Sequence, residues 1–249
     1  MKKPAKTSWG KEAAWYAEHL TDADTYHAKV ILPNIMRLVA PNKDQTVLEI
    51  GCGEGYFARA LSKEGSMVTA ADISPELIAE AKKQGGGVAY VVSPAQDLSF
   101  ARDAFFDVVL AVLTLQNMER LDLVMKEVRR VLKKEGRFLF VLNHPVIRVP
   151  KLSSWGYDEG SKTQYRRLDG YLSERRTAID MHPGEKRKSV TYSFHRSLQE
   201  YMKLLRGAGF SITRLEEWIS HKTSEPGPRA KAENVARKEF PLFMMLEAM

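Results

Sequence analysis

Three glycines at alternate positions, Gly51, Gly53 and Gly55, sit inside the stretch VLEIGCGEGYFARAL at residues 47–61. A short β-branched, apolar run ends just before them at Glu49-Ile50, and a helix-like pattern starts at Tyr56. A strand that passes through a glycine turn into a helix brings bare backbone N–H groups close to a ligand. Asp72 follows 21 residues after Gly51, at the end of a second apolar run, MVTAAD. An acidic group at that distance can accept hydrogen bonds from the two hydroxyls of a ribose. The chemistry this spacing allows is the holding of a nucleoside. The glycines read G-x-G-x-G with Glu49 before them, which differs from the dinucleotide pattern, and no GK[ST] follows as a phosphate-binding loop requires.

The elements that position these residues alternate between strand and helix. TVLEI reads as a strand and YFARALSKEG as a helix, then MVTAAD as a strand. Ser74 is placed to cap the next helix, with Pro75 at its first position and Gly85-Gly86-Gly87 ending it. VAYVV and FDVVLAVLTL are further strands, residues 119–133 a helix, and Glu135-Gly136 a turn into RFLFVLNH. Such alternation over about 100 residues implies a parallel sheet covered on both faces. Residues 10–40 read as one or two helices before Pro41-Asn42-Lys43-Asp44 breaks the pattern.

The rhythm stops after residue 145. Residues 145–196 hold eleven Lys or Arg against six Asp or Glu, most of the excess behind the net charge of +7. Within them, RTAIDMHPGEKRKSVTYSF predicts two strands around a Pro183-Gly184 turn, because Val190, Tyr192 and Phe194 alternate with polar residues. SLQEYMKLLRGAG predicts a helix, and FSITRLEEW and FPLFMMLEAM two closing strands with a basic loop between them.

The 249 residues, 44% of them hydrophobic, suit one α/β domain with insertions. No apolar run approaches the roughly 18 residues that cross a bilayer. The opening MKKPAKTSWGKEAAW has two lysines but no apolar core of a secretory signal, so the expected setting is cytoplasmic, with no membrane attachment. Cys52 is the one cysteine, which excludes an internal disulfide and a cysteine-cluster metal site, and no spaced Asp/His/Glu set suggests a metal.

These residues resemble the class I S-adenosylmethionine (AdoMet) dependent methyltransferases. EIGCGEG at 49–55 matches that family's glycine motif, ADISPELIAEAKK at 71–83 its second motif, and FDVVLAVLTLQNM with LKKEGRFLFVLNHP its later strands. The match is firm over residues 45–145. The resemblance implies a doubly wound, seven-stranded, mostly parallel sheet with an antiparallel last strand, and an inserted β-hairpin or cap after the fifth strand. The whole chain, 1–249, is then one methyltransferase domain: an N-terminal helical lid (1–40), an AdoMet-binding core (45–145), a substrate cap (146–196) and a closing helix and strands (197–249).

The resemblance also assigns roles. Gly51, Cys52, Gly53 and Gly55 form the turn that meets the methionine part of AdoMet, and Glu49 faces its ammonium. Asp72 takes the ribose hydroxyls and Ile73 packs on the adenine. Many members carry an Asp then an Ala after the third strand; this chain has SPAQDL, with Pro94 where that Asp would lie. The Ala95 N–H remains available to the ring, with Gln96 or Asp97 replacing the missing side chain. Leu113 and Thr114 line the site beneath the cofactor, and Tyr16 or Trp15 from the N-terminal helix covers it, an aromatic face near the sulfonium.

Methyl transfer needs alignment and exclusion of water, and a base only for a hydroxyl or a protonated amine. His144, just past the fifth strand, is the first candidate base; His195 and His182 follow, with His19, Tyr26 and His27 on the substrate side. Arg166, Arg167, Arg175 and Arg176 are candidates to clamp a carboxylate or phosphate. The leading expectation is a small-molecule O- or N-methyltransferase, a monomer or homodimer, with an anionic acceptor among the options. Two readings stand beside it: methylation of RNA or protein, and a non-catalytic AdoMet-binding protein. Against nucleic acid stand the absence of an Asn-Pro-Pro-aromatic motif at Thr114–Met118, of a cysteine nucleophile outside the glycine loop, and of a separate RNA-binding module.

Overall fold

The computed structural model describes residues 23–181 and 190–249. Seven strands form the central sheet: β1 (Thr46–Ile50), β2 (Met67–Asp72), β3 (Ala89–Val92), β4 (Phe106–Val112), β5 (Leu132–Asn143), β10 (Ile212–Trp218) and β11 (Phe243–Ala248). Their order is β10-β11-β5-β4-β1-β2-β3. The pairs β1–β2, β1–β4, β2–β3 and β4–β5 are parallel, while β11 runs antiparallel to both β5 and β10. The strand order reverses beside β1, so a crevice opens at the carboxyl ends of β1 and β4.

The sequence makes this sheet because its central strands are mostly apolar on both faces. Every residue of β1 and β11 is buried, as the centre of a sheet covered on both faces demands. The period of two splits each strand between two cores. Val47, Val108, Leu110, Leu139 and Val141 face one side, packing on α1 (Leu32–Val39), α2 (Tyr56–Lys63) and α3 (Pro75–Gln84). Leu48, Val109, Phe138 and Phe140 face the other, on α4 (Leu121–Val131) and α5 (Leu198–Gly207). Phe138 and Phe140 are fully buried with ring centroids 5.0 Å apart, and burial of each contributes roughly 1.5–3 kcal/mol.

The helix boundaries follow local chemistry. The Ser74 hydroxyl accepts the Leu77 N–H at 3.2 Å at the start of α3, with Pro75 at its first position, as the sequence predicts. Gly55, at φ 85°, caps α2. A π-helical turn, His27–Ile31, leads into α1; the first part of the predicted N-terminal helices lies outside the described residues.

Two antiparallel hairpins follow β5. The expected one is β8 (Arg175–Asp180) with β9 (Val190–His195); its Pro183-Gly184 turn lies outside the described residues. The other, β6 (Ser153–Asp158) with β7 (Thr163–Leu168), was not expected from the sequence. Its polar alternation hides it, since its packing comes from local pairs: the Tyr165 ring covers Gly156, and Arg166 lies over Trp155 at 5.0 Å. The segment read as a basic loop between the closing strands carries α6 (Ala230–Glu239), which buries only Ala236 among its residues and so lacks an apolar stripe to read. No helix among the described residues is long and apolar enough to cross a membrane.

Candidate active site

The glycine turn leaves β1 in left-handed backbone, with Gly51 at φ 65° and Gly53 at φ 56°. A Cβ on Gly51 would collide with the Thr114 side chain, so glycine is needed for the turn to lie against the end of β4. The Asp72 carboxylate joins the turn to β2: Oδ2 accepts the Gly53 N–H and Oδ1 the Ser74 N–H, each at 2.9 Å. A carboxylate accepts about four hydrogen bonds, so two sites remain for a ligand's hydroxyls. Burial pushes the Asp72 carboxyl up, opposed by those backbone N–H groups.

A cavity of about 290 Å³ opens over the turn, with Gly51, Gly53, Asp72, Ile73, Ala95, Gln96 and Leu113 in its wall. With Thr114, eight residues that the sequence marks separately are thus brought to one place. Ser93, Leu77, Met118 and Arg120 line it as well; nothing in their spacing singled them out. Asp97 does not line it. Its Oδ1 accepts the Ser99 N–H at 3.3 Å, which turns the side chain into the loop. The buried Cys52 donates weakly to the Gly53 carbonyl at 3.6 Å and packs behind the turn. Tyr16, like Trp15, His19 and His182, lies outside the described residues.

Glu49 is buried beneath the turn, and its Oε2 has no partner. Burial pushes its carboxyl up to about 8, and the carboxylates of Glu54 and Asp72 push the same way. Glu54 is buried too, but Arg59 pairs with it at 2.5 Å and Gln84 donates to it at 2.9 Å. The site therefore gathers three carboxyl groups, one of which keeps an oxygen without a partner. A group carrying an ammonium and a sulfonium fits that deficit, and the glycine turn and Asp72 fit its backbone-facing and ribose parts.

A second cavity of about 1110 Å³ adjoins the first, and Leu113 lines both. Leu113 holds φ 53°, a conformation that costs a branched residue about 1–2 kcal/mol and sets its side chain between the two spaces. The larger cavity is walled by the insertion, through Ile147, Arg148, Trp155 and Arg166, and by Tyr26, His27, Asn143, Lys222 and Phe243. Residues of the insertion thus border this cavity near the carboxyl edge of the sheet. Arg148 entered the sequence reading only as part of a charge count; its place five residues past the end of β5 was the available signal.

The candidate bases are held elsewhere. His144 is buried, with Nε2 2.7 Å from Glu217 Oε1 while Nδ1 accepts the Val146 N–H at 3.3 Å. Both ring nitrogens are engaged, it lines neither cavity, and burial holds its pKa below the usual value against the pull of Glu217. The structure thus sets His144 apart from both cavities, tied between Glu217 and the Val146 N–H. His195 is likewise buried, its Nε2 2.7 Å from the Tyr171 carbonyl, and it lines only a side pocket of about 60 Å³. Arg167 pairs with Asp169 at 2.9 Å on the exposed edge and Arg176 lies over the Tyr192 ring; neither they nor Arg175 line the large cavity. Among the described residues no group of three His, Cys, Asp or Glu is arranged for a metal ion.

Comparison with known proteins agrees with this geometry. Residues 48–140 match the model of the methyltransferase domain. The chain is 35% identical over 100 residues to a malonyl-[acyl-carrier protein] O-methyltransferase of Erwinia pyrifoliae, covering 40% of this chain and 38% of that one. It is 28% identical over 188 residues to a demethylmenaquinone methyltransferase of Chlorobaculum parvum, covering 75% and 74%. The matches to the first two curated relatives span only about two fifths of their length, 38% and 41%. A solved structure from Listeria monocytogenes, described as an S-adenosylmethionine-dependent methyltransferase, superposes with a TM-score of 0.62 at 26% identity, over 83% of this chain and 91% of that one. With the sheet order, the glycine turn and the orphaned Glu49 oxygen above, these likenesses identify residues 48–140 as a methyltransferase domain, similar in fold to S-adenosylmethionine-dependent methyltransferases.

Proposed function

We propose that this chain transfers the methyl group of AdoMet to an oxygen or nitrogen of a small, anionic acceptor. The observation that carries the reading is the pair of adjoining cavities that share Leu113, one built for a cationic nucleoside and the other open beside it. When bound, AdoMet supplies an electrophilic methyl carbon on a positively charged sulfur. The chain's own work is to hold, orient and exclude water. Glu49 Oε2 faces the ammonium, the Gly51–Gly55 turn meets the methionine part, and the remaining acceptor sites of Asp72 take the ribose hydroxyls. Ile73 packs on the adenine, whose edge meets the Ala95 N–H and Gln96. Cys52 supports this turn from behind, and Leu113 closes the space beneath the sulfur.

The acceptor cavity supports a small molecule because the insertion and the strand ends wall it, and its lining carries Arg148, Arg166, Lys151 and Lys222. The expected N-terminal cover, with Tyr16, belongs to this proposal also. The test is incubation with methyl-labelled AdoMet and a metabolite extract. Label in a small product, with release of S-adenosylhomocysteine, supports the reading. Saturable AdoMet binding with no transfer to any fraction makes the protein a binder without catalysis.

A further inference from the structure

Arg148 and Arg166 both line the wall of the acceptor cavity, and no counter-ion to either stands among the described residues. Arg166 is fixed: Nε donates to the Ile147 carbonyl at 2.9 Å, Nη2 to the Ser153 hydroxyl at 2.7 Å, and its guanidinium lies over the Trp155 ring. Arg148 donates from Nη1 to Asn143 Oδ1 at 3.3 Å, a neutral and long contact. No carboxylate among the described residues pairs with either one. Each is held below the ordinary guanidinium pKa, mainly by desolvation, and Arg166 also by the positive charge of Arg148. Arg148 is exposed and lines the cavity, whereas Arg166 is half-buried in the same wall. Two like charges kept close at this cost describe a site completed by an anion.

Among the described residues the same wall is poor in bases. Asp24, its carboxylate, pairs with His221 at 3.1 Å and Lys222 at 3.5 Å. His144 and His195 are tied into the protein as described. His27 lines the cavity with its ring against those of Tyr56 and Phe57. A hydroxyl or ammonium acceptor must lose a proton during transfer, whereas a carboxylate has none to lose.

We infer that the acceptor is a carboxylic acid, held as its carboxylate by the Arg148–Arg166 pair and methylated on oxygen to give the methyl ester. The inference rests on the methyl-transfer reading above and deepens it. A lone pair of one carboxylate oxygen forms the new O–CH₃ bond as the methyl–sulfur bond breaks, and the bonding pair stays on sulfur. The products are a neutral ester and neutral S-adenosylhomocysteine; no proton moves. Two opposite charges vanish in a desolvated space, which favours the forward step. The ester no longer pairs with the arginines, which favours its departure.

The test uses the full chain, methyl-labelled AdoMet, and a cell extract split by ultrafiltration into small-molecule and protein fractions. Products are then treated with alkali, which releases labelled methanol from methyl esters but not from ethers, methylamines, C-methyl products or methyl phosphodiesters. The expected result is alkali-labile label from the small-molecule fraction. Arg148→Gln should lower transfer at limiting acceptor roughly 10–100-fold, with S-adenosylhomocysteine affinity by calorimetry unchanged, and Arg148→Lys should restore part of it. Arg167→Gln, on the exposed edge, should leave transfer intact.

As a readout apart from turnover, thermal shift of the S-adenosylhomocysteine complex with a panel of carboxylic acids and their carboxamides should favour the acids in the wild type and not in Arg148→Gln. Alkali-stable label, with or without dependence on His27, overturns the ester and leaves the transferase. Label in the protein fraction alone overturns the small acid. Absence of transfer from either fraction overturns the transferase and the ester together.

Discussion

The Asp72 carboxylate accepts the backbone N–H of Gly53 at 2.9 Å, so the two motifs that the sequence separates by a whole helix are one hydrogen-bonded unit. The acidic residue at the end of β2 fixes the turn at the end of β1 and keeps acceptor capacity toward the cleft. On the proposed reading, its effect on ligand binding combines a direct contact with the shape of the turn.

Asp72→Ala is expected to weaken AdoMet binding by ~1.5–3 kcal/mol through lost charge-assisted bonds. Because the Gly53 and Ser74 N–H groups lose their acceptor too, the melting temperature should also fall. Calorimetry with an unchanged Kd would remove Asp72 from the cofactor site.

Glu49 gives binding a pH dependence. Its carboxyl is raised to about 8 in the folded chain, and an ammonium ligand favours the ionised form. AdoMet affinity should rise with pH up to about 8, with proton release on binding, detectable as a buffer-dependent heat. Glu49→Gln should abolish the proton release. An affinity that is flat over this range would show that Glu49 does not meet the ligand.

The same group affects the unliganded fold. Its folded pKa, about 8, lies above the ordinary 4.5, so the native state holds a proton that the unfolded chain has released between those values. Stability should decline as pH rises through that window and level off above it. Denaturant titrations from pH 5 to 9 should show the decline in the wild type and lose much of it in Glu49→Gln.

Gly51→Ala forces a methyl into the Thr114 side chain at a positive φ. AdoMet affinity should drop at least tenfold, and the double variant with Thr114→Gly should recover part of it. Full affinity in the single variant would mean that the turn does not need its close approach to β4.

His144→Phe is expected to leave turnover near wild type at saturating substrates and to lower stability by about 1–3 kcal/mol, since the Val146 N–H loses its acceptor and Glu217 its partner. A loss of turnover with unchanged stability would return His144 to the mechanism.

The nucleoside side of the site was legible because its residues follow from backbone geometry. Strand ends, a glycine turn and the acid after β2 are fixed by local spacing, and the residues from Gly51 to Leu113 converge as that spacing implies. Asp97 was misplaced because only the turn's hydrogen bonds decide whether its side chain faces the cleft or the Ser99 N–H. The acceptor side was less legible. Arg148 and Trp155 belong to segments without apolar periodicity, and they reach the cavity only through the packing of a hairpin whose partners are set in three dimensions. His144 shows the converse: a position at a strand's carboxyl end suggests chemistry, yet Glu217 from β10 claims its ring.

Leu113 has one more implication. It lines both cavities while holding a backbone conformation that a branched residue avoids. On the proposed reading it is the septum between methyl donor and acceptor, and a glycine there would relax the chain and at the same moment perforate the partition. Tightness against futile hydrolysis and ease of folding would then be set in opposition at a single leucine.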